Sequence, residues 1–231
     1  MTPRPEPDGP NASRFPDPLL AGPEGLVAMG GRLDPDWLLD AYRHGVFPWP
    51  SRDDEPMLWW SPDPRALMPL EGLRVSRRLQ RTIRSERFEV ACDTDFAGVL
   101  EGCATGPGRE GGTWITDGMR DAYQEMHRLG HAHSVEARRE GRLVGGVYGL
   151  AIGGLFAAES MFHYETDASK VALAALVSHL NARGYRLLDI QQWTRHTGSL
   201  GAVEVSRSDY LERLAEAVEA PVTFGDHLAA E

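Results

Sequence analysis

Residues 155–202, LFAAESMFHYETDASKVALAALVSHLNARGYRLLDIQQWTRHTGSLGA, constrain the fold of this chain more than any other stretch. They read as strand, turn, helix, strand and loop. A strand from Leu155 carries Glu159 at its far end. Asp167 is read as the N-cap of a helix from about Ala168 to Arg183. Val171, Ala174, Ala175, Val177 and Leu180 form its apolar positions, and Gly184 is the C′ residue. A second strand, RLLDIQ, presents Asp189 and Gln191, two residues apart and therefore on one face. Each strand ends in an acidic or amide group after an apolar run. Packing does not call for such groups there, so chemistry is expected at this point.

The 231 residues are enough to bury a real core. No apolar run reaches the length of a membrane span. The N-terminal MTPRPEPDGPNASRFPDP lacks the apolar core of a signal peptide and is expected to be a loose Pro-rich arm. Cys92 and Cys103 do not have metal-like spacing, so buried thiols and a cytoplasmic location are expected. His131 and His133 alternate at a strand start, but no third ligand has suggestive spacing and no metal is expected. His196 lies in the loop after RLLDIQ, and Lys170 is the one lysine of the chain.

The net charge of −10 argues at first against a nucleic-acid partner. Residues 74–87 are a local exception, with Arg74, Arg77, Arg78, Arg81, Arg84 and Arg87 set against Glu86 alone. On a helix the first five share one broad face, and Leu79 and Ile83 mark the other. Like charges at i, i+4 weaken a helix. A ligand should therefore want them, and a phosphate backbone would.

Upstream, GLVAMGGRLDPDWLLDAYRHG contains a short helix, with Asp34 as N-cap, Pro35 at its first position and Gly45 closing it. Leu38, Leu39 and Tyr42 are its inner face. In VFPWPSRDDEPMLWWSPDPRA the prolines are expected to forbid a regular helix or central strand. Trp49, Trp59 and Trp60 either pack on a domain or receive a flat ligand. SPDPR marks a boundary, giving an arm and small domain over residues 1–62 and a larger domain over 63–231. From residue 88 the expected order is β-α-α-β-β-β-α-β-α, with a possible last strand at PVTF. Asp209, Glu212 and Glu216 are read as a solvated helix face.

This α+β order resembles the N-acetyltransferase (GNAT) fold, in which the fourth and fifth strands splay apart to admit an acyl donor. Here those strands carry Glu159, and Asp189 with Gln191. The pyrophosphate loop of acyl-CoA enzymes is matched only in part: Arg195-His-Thr-Gly198-Ser-Leu has Leu200 where Gly or Ala is needed.

FPWPS, LWWSPDPRA, EGCA, TWIT, LGHAHSVE, LVGGVYG, ESMF, DASK, D-x-Q and H-x-x-SLGA occur in that order. Together they resemble the leucyl/phenylalanyl-tRNA–protein transferase family over about residues 15–214. The resemblance implies a small N-terminal domain and a GNAT-like catalytic domain, without CoA or metal. It implies transfer of leucine or phenylalanine from aminoacyl-tRNA to the α-amine of proteins beginning with Arg or Lys, which marks them for degradation. It assigns Trp49 and Trp114, with Tyr42 and Tyr123 nearby, to the terminal adenosine. The arginine run is assigned to the acceptor stem, and Val147, Phe156, Met161, Leu176 and Leu188 to the amino-acid pocket. Asp189 and Gln191 are assigned to binding and deprotonating the amine, with Glu159 beside them. In this expectation Gln191 orients the amine through its amide oxygen. Asp189 fixes Gln191 or takes up the proton, and a negative Glu159 attracts a cationic acceptor. Ala158, His163, Tyr164 and Ile190 depart from the family's usual residues, and TGPGREGG before Trp114 is lengthened. The alternatives are an acyl-CoA-dependent N-acyltransferase, a tRNA-dependent enzyme of cell-wall peptides, and an RNA-binding module whose strand-end carboxylates are structural.

Overall fold

The computed structural model describes residues 1–4, 6, 12–50, 52–108 and 112–229. Part of the expected loose arm and the centre of TGPGREGG lie outside the described residues. A small N-terminal unit contains β1 (Leu26–Met29), α1 (Pro35–Arg43), β2 (Phe47–Pro48) and β3 (Leu58–Trp60). Its antiparallel sheet has the order β1-β3-β2. Asp34 caps α1 by accepting the Trp37 amide at 3.1 Å, and Gly45 leaves the helix at φ +76°. The Pro-rich segment was expected to hold no central strand, yet Leu58–Trp60 is one. Its prolines flank the strand without interrupting it, and Pro48 sits on an edge strand.

The larger domain comprises β4 (Arg65–Leu67), α2 (Arg77–Arg84), β5 (Glu89–Cys92), α3 (Phe96–Thr105), α4 (Asp117–Arg128), β6 (Ala132–Arg139), β7 (Arg142–Ile152), β8 (Leu155–His163), α5 (Ala168–Arg183), β9 (Leu187–Gln191), α6 (Arg195–Ser199), β10 (Val203–Val205) and α7 (Arg207–Val218). They build a seven-stranded sheet in the order β10-β4-β9-β8-β7-β6-β5. The expected strands and helices are present in their expected order. The short β4, β10 and α6 were not foreseen, and PVTF forms no strand; Phe224 is instead buried against His133 and His179.

Neighbouring strands are antiparallel except β8 and β9. That parallel pair runs only from Leu155↔Leu187 to Ala157↔Asp189. β8 then continues to His163 while β9 ends at Gln191, so the two strands part. Glu159 therefore lies at mid-strand, just beyond the point of parting, and not at the strand's far end. It is also the extra residue of a β-bulge, since Ala158 faces Gly149 and Ser160 faces Tyr148. A bulge re-aims a side chain. Gly149 has no room for a side chain opposite it, because a Cβ there would lie 2.2 Å from the Ala157 carbonyl oxygen.

Two apolar cores cover the two faces of the sheet. One joins Phe96, Leu100, Met119, Tyr123, Met126 and Tyr148 to Phe15, Trp37, Leu38 and Trp59 of the N-terminal unit. The other lies under α5 and includes Val135, Val147, Phe156, Leu176, Leu180 and Leu188. Each such side chain, fully buried, contributes about 1.5–3 kcal/mol. Asp167 precedes α5 as expected but adopts φ +72° and makes no side-chain cap. Its carboxylate instead meets Thr82, Arg78 and Lys170.

Candidate active site at the parting of two strands

Gln191 closes β9 in an unusual conformation. Its φ is +56°, and the Gln192 amide donates to the Ile190 carbonyl at 2.6 Å, forming a γ-turn with Gln191 at its centre. A non-glycine residue held there is strained and needs its surroundings to fix it. Asp189 does so: its Oδ1 accepts the Gln191 backbone amide at 2.9 Å. The turn ends the alternation of side chains expected for D-x-Q.

Asp189 itself is fully buried. Arg65 donates to both of its oxygens, at 2.9 and 2.6 Å, and the Tyr210 hydroxyl donates at 2.9 Å. Arg65 is likewise sealed from solvent, with its guanidinium over the rings of Phe47 and Tyr210 and one nitrogen donating to the Gly45 carbonyl. Burial works against the charge on Arg65, but Asp189 outweighs it and raises the pKa. Of the two roles expected for Asp189, this geometry suits the fixing of Gln191. A carboxylate so fully occupied has no open side from which to take a proton from a substrate.

Glu159 is partly buried and meets groups from three elements. Tyr42 of α1 donates to its Oε1 at 2.7 Å, and Tyr123 of α4 to its Oε2 at 3.1 Å. The two phenol oxygens are 2.6 Å apart. Gln191 Nε2 donates to Oε1 at 3.1 Å. With its Nε2 so placed, the Gln191 Oε1 is the end left for a ligand; among the described residues it accepts no hydrogen bond. Burial pushes the Glu159 carboxyl up to about 8 against the pull of the two phenols, with the Asp189 charge adding to the rise and Arg65 opposing it. Burial thus works against the negative charge expected of Glu159. Tyr42 and Tyr123 are raised well above the usual tyrosine range, first by burial and then by Glu159.

Gln192, the residue after Gln191, helps line a cavity of about 590 Å³ together with Trp49, Leu58, Trp60, Thr113 and Trp114, among others. The Trp49 and Trp114 rings stand 6.2 Å apart at 55°. Trp60 Nε1 is buried without a hydrogen-bond partner among the described residues. The structure thus brings Trp49 and Trp114 together as expected. Tyr42 and Tyr123 are not part of the cavity wall; they lie behind it, on Glu159. Trp59 is core, donating to the Gly30 carbonyl.

Val147, Phe156, Met161, Leu176 and Leu188 gather in the core under α5. Met161 is only partly buried and the other four are sealed. The aromatic cavity touches none of them. Arg77, Arg78, Arg81 and Arg84 lie exposed on α2, whereas Arg74 precedes its cap residue Ser76 and is exposed on the approach. Arg78 pairs with Asp167, and Arg87 with Glu165. The His196 pKa is lowered, first by burial and then by the charges of Lys170 and His163. Gly198, in the loop compared with a CoA grip, lies against the Trp193 ring, which would meet a Cβ at 2.3 Å. Packing accounts for that glycine. His133 bonds to Asp93 and stacks on Phe224. Arg65 and Tyr210 escaped the sequence reading, although Arg65 stands inside the quoted SPDPRA.

A family model described as leucyl/phenylalanyl-tRNA protein transferase matches residues 67–215, and one for the N-terminal domain of the same family matches residues 31–63. Leucyl/phenylalanyl-tRNA–protein transferase from Nitratidesulfovibrio vulgaris (strain DP4) is 54% identical over 93% of this chain and 92% of its own length. The proteins of that name from Pseudomonas entomophila and Azoarcus sp. are 52% and 50% identical, over 87% and 92% of this chain and 89% and 91% of their own lengths. Matches of this extent at both ends, around a site built from both, show that the chain belongs to the leucyl/phenylalanyl-tRNA–protein transferase family.

Proposed function

We propose that this chain moves leucine or phenylalanine from aminoacyl-tRNA to the α-amine of proteins beginning with Arg or Lys, forming a peptide bond that marks them for degradation in the cytoplasm. The observation that carries the reading is Gln191, held in a strained turn with its Nε2 on Glu159 and its Oε1 unpaired among the described residues, one residue before Gln192 in the wall of an aromatic cavity. An aminoacyl ester is already activated, so the protein's task is to hold amine and ester carbon in attack geometry. Such positioning is worth up to about 7–11 kcal/mol in favourable cases. A free α-amine has a pKa of about 8, so a useful fraction is neutral near pH 7. Gln191 Oε1 accepts from that amine, Glu159 holds the amide that presents Oε1, and Asp189 holds the turn. No cofactor or metal enters this scheme.

The parting of β8 and β9 supports a GNAT-like reading of the larger domain, with the donor entering where the strands separate. The cavity bounded by Trp49 and Trp114 suits an unpaired adenosine, because bases stack on aromatic rings. Arg74, Arg77, Arg78, Arg81 and Arg84 take the acceptor-stem phosphates. Val147, Phe156, Leu176 and Leu188, with Met161 at the rim, receive the amino-acid side chain once they yield space. The test is transfer of radiolabelled leucine from Leu-tRNA to a peptide beginning with Arg and to its acetylated counterpart. Transfer to the free amine alone is expected. Transfer to neither, with acetyl-CoA accepted as donor, would overturn the reading.

A further inference from the structure

The contacts around Glu159 raise a problem of hydrogen counting. Tyr42, Tyr123 and Glu159 touch pairwise at 2.6, 2.7 and 3.1 Å, all in the range of oxygen–oxygen hydrogen bonds or just beyond it. Two phenols bring two hydrogens to these three contacts. If Glu159 is ionised, both phenols donate to it, and the Tyr42–Tyr123 contact at 2.6 Å sets lone pair against lone pair with no hydrogen between them. One further proton on Glu159 Oε2 removes the conflict. Oε2 then donates to Tyr123, Tyr123 to Tyr42, and Tyr42 to Oε1, closing a ring. Oε1 keeps a lone pair for Gln191 Nε2.

We propose that Glu159 holds this shared proton in the resting enzyme and hands it to the ribose oxygen that leaves the tRNA, with Tyr42 and Tyr123 as the positioning residues that keep it there. The proposal rests on the transfer reaction above and supplies the acid which that reaction still requires. The amine nitrogen bonds to the ester carbon and the carbon–oxygen bond breaks. The carboxyl O–H bond breaks as the ribose O–H bond forms. The attacking nitrogen then loses a proton to the Glu159 carboxylate, which restores the ring, so no net proton is consumed. The placement suits the task. Glu159 is the one member of the ring that is not sealed from solvent, since Tyr42 and Tyr123 are 1% and 0% exposed. Glu159 also adjoins the Gln191 side chain that takes the amine. Its other charged neighbours are Asp189 on β9 and Arg65 on β4, and the direction of its pKa agrees with a held proton. Tyr42 and Tyr123, assigned to adenosine by resemblance, thus serve the leaving group from behind the cavity.

The experiment compares wild type with Glu159→Gln, which can keep the ring's hydrogen bonds but cannot release a proton. Infrared difference spectra of the two proteins near neutral pH should show a protonated-carboxyl C=O band that Glu159→Gln lacks. Turnover with Leu-tRNA should fall by about 100-fold or more while the KM for the Arg peptide holds. With leucine p-nitrophenyl ester, whose leaving group departs as a stable anion, the loss should shrink to less than about 10-fold. In Tyr123→Phe, kcat should fall and the alkaline limb of its pH profile should move, again without change in acceptor KM. A missing carboxyl band, or equal losses with both donors, would overturn the proposal. So would a rise in acceptor KM at unchanged kcat, which would return Glu159 to the role of counter-charge. Failure of wild type to use Leu-tRNA at all would instead count against the transfer reaction, and the infrared result would still decide whether the proton is held.

Discussion

Replacing Asp189 leaves Arg65 charged, buried and without its carboxylate, and that loss should dominate the variant's behaviour. Removing one partner of a buried pair typically costs about 3–5 kcal/mol. Asp189→Leu should lower the urea midpoint accordingly with no change in slope, and adding Arg65→Met should recover most of the loss. Glu159 makes a separate prediction. Its folded pKa stands near 8, above the usual value of about 4.3 for an unfolded glutamate. Between those values the folded state binds more protons than the unfolded one, so this contribution to stability is full at low pH and is lost as pH rises toward 8. Thermal melts between pH 5 and 8 should show wild type losing stability relative to Glu159→Gln as pH rises. At this scale Glu159, Asp189 and Gln191 were legible as polar groups interrupting apolar strands. Arg65 was not, because its partner lies 124 residues away and nothing local betrays the pairing. The γ-turn was hidden too, since glutamine gives no signal of positive φ.

Among the elements, α2 is held to the body by little. Leu79 is buried, whereas Ile83, which shares the face opposite the arginines, is 36% exposed. Arg77 and Arg81 repel at i, i+4, as do Arg81 and Arg84 at i, i+3. Replacing Arg77, Arg81 and Arg84 with alanine should therefore leave the melting temperature unchanged or slightly raised, since alanine also favours helix. The same variant should bind Leu-tRNA more weakly, and its log–log salt slope should be shallower by about 2–3 if each arginine meets a phosphate. Filter binding across a salt series measures this, and an unchanged slope would remove α2 from the RNA interface. Long elements with capping or glycine signals were readable: α5 spans the residues assigned to it, and α4 buries Met119, Ala122, Tyr123 and Met126 as expected. β4 and β10 were not readable, because three-residue strands at one side of a sheet carry too few alternations to form a pattern. Asp167 holds the N-cap position read for it, but its side chain favours Arg78 and Lys170 over the helix amides.

For the molecule as a whole, the boundary at residue 62 separates strands but does not separate cores. Phe15, Trp37 and Trp59 belong to one apolar cluster with Tyr123, Tyr148 and Tyr210. Arg207 at the start of α7 reaches back to donate to the carbonyls of Pro18, Ala21 and Gly22. Within the arm itself, the Arg14 amide donates to Asp40, Phe15 is buried and the Met1 carbonyl accepts from Met29, so these described residues are fastened against the expectation of a loose arm. Arg65 does the same for Gly45. The site spans the boundary as well, because Tyr42 of the N-terminal unit bonds to Glu159 of the large sheet. A chain joined this way should unfold as one cooperative unit. Calorimetry should show a single transition with equal calorimetric and van't Hoff enthalpies, and residues 63–231 expressed alone should bind a hydrophobic dye and fail to melt cooperatively. Two separable transitions would mean that the shared cluster contributes little and that the two units merely touch. In that case Tyr42 could leave Glu159 without unfolding either unit, and the proton ring would be a contact that opens and closes as the units move.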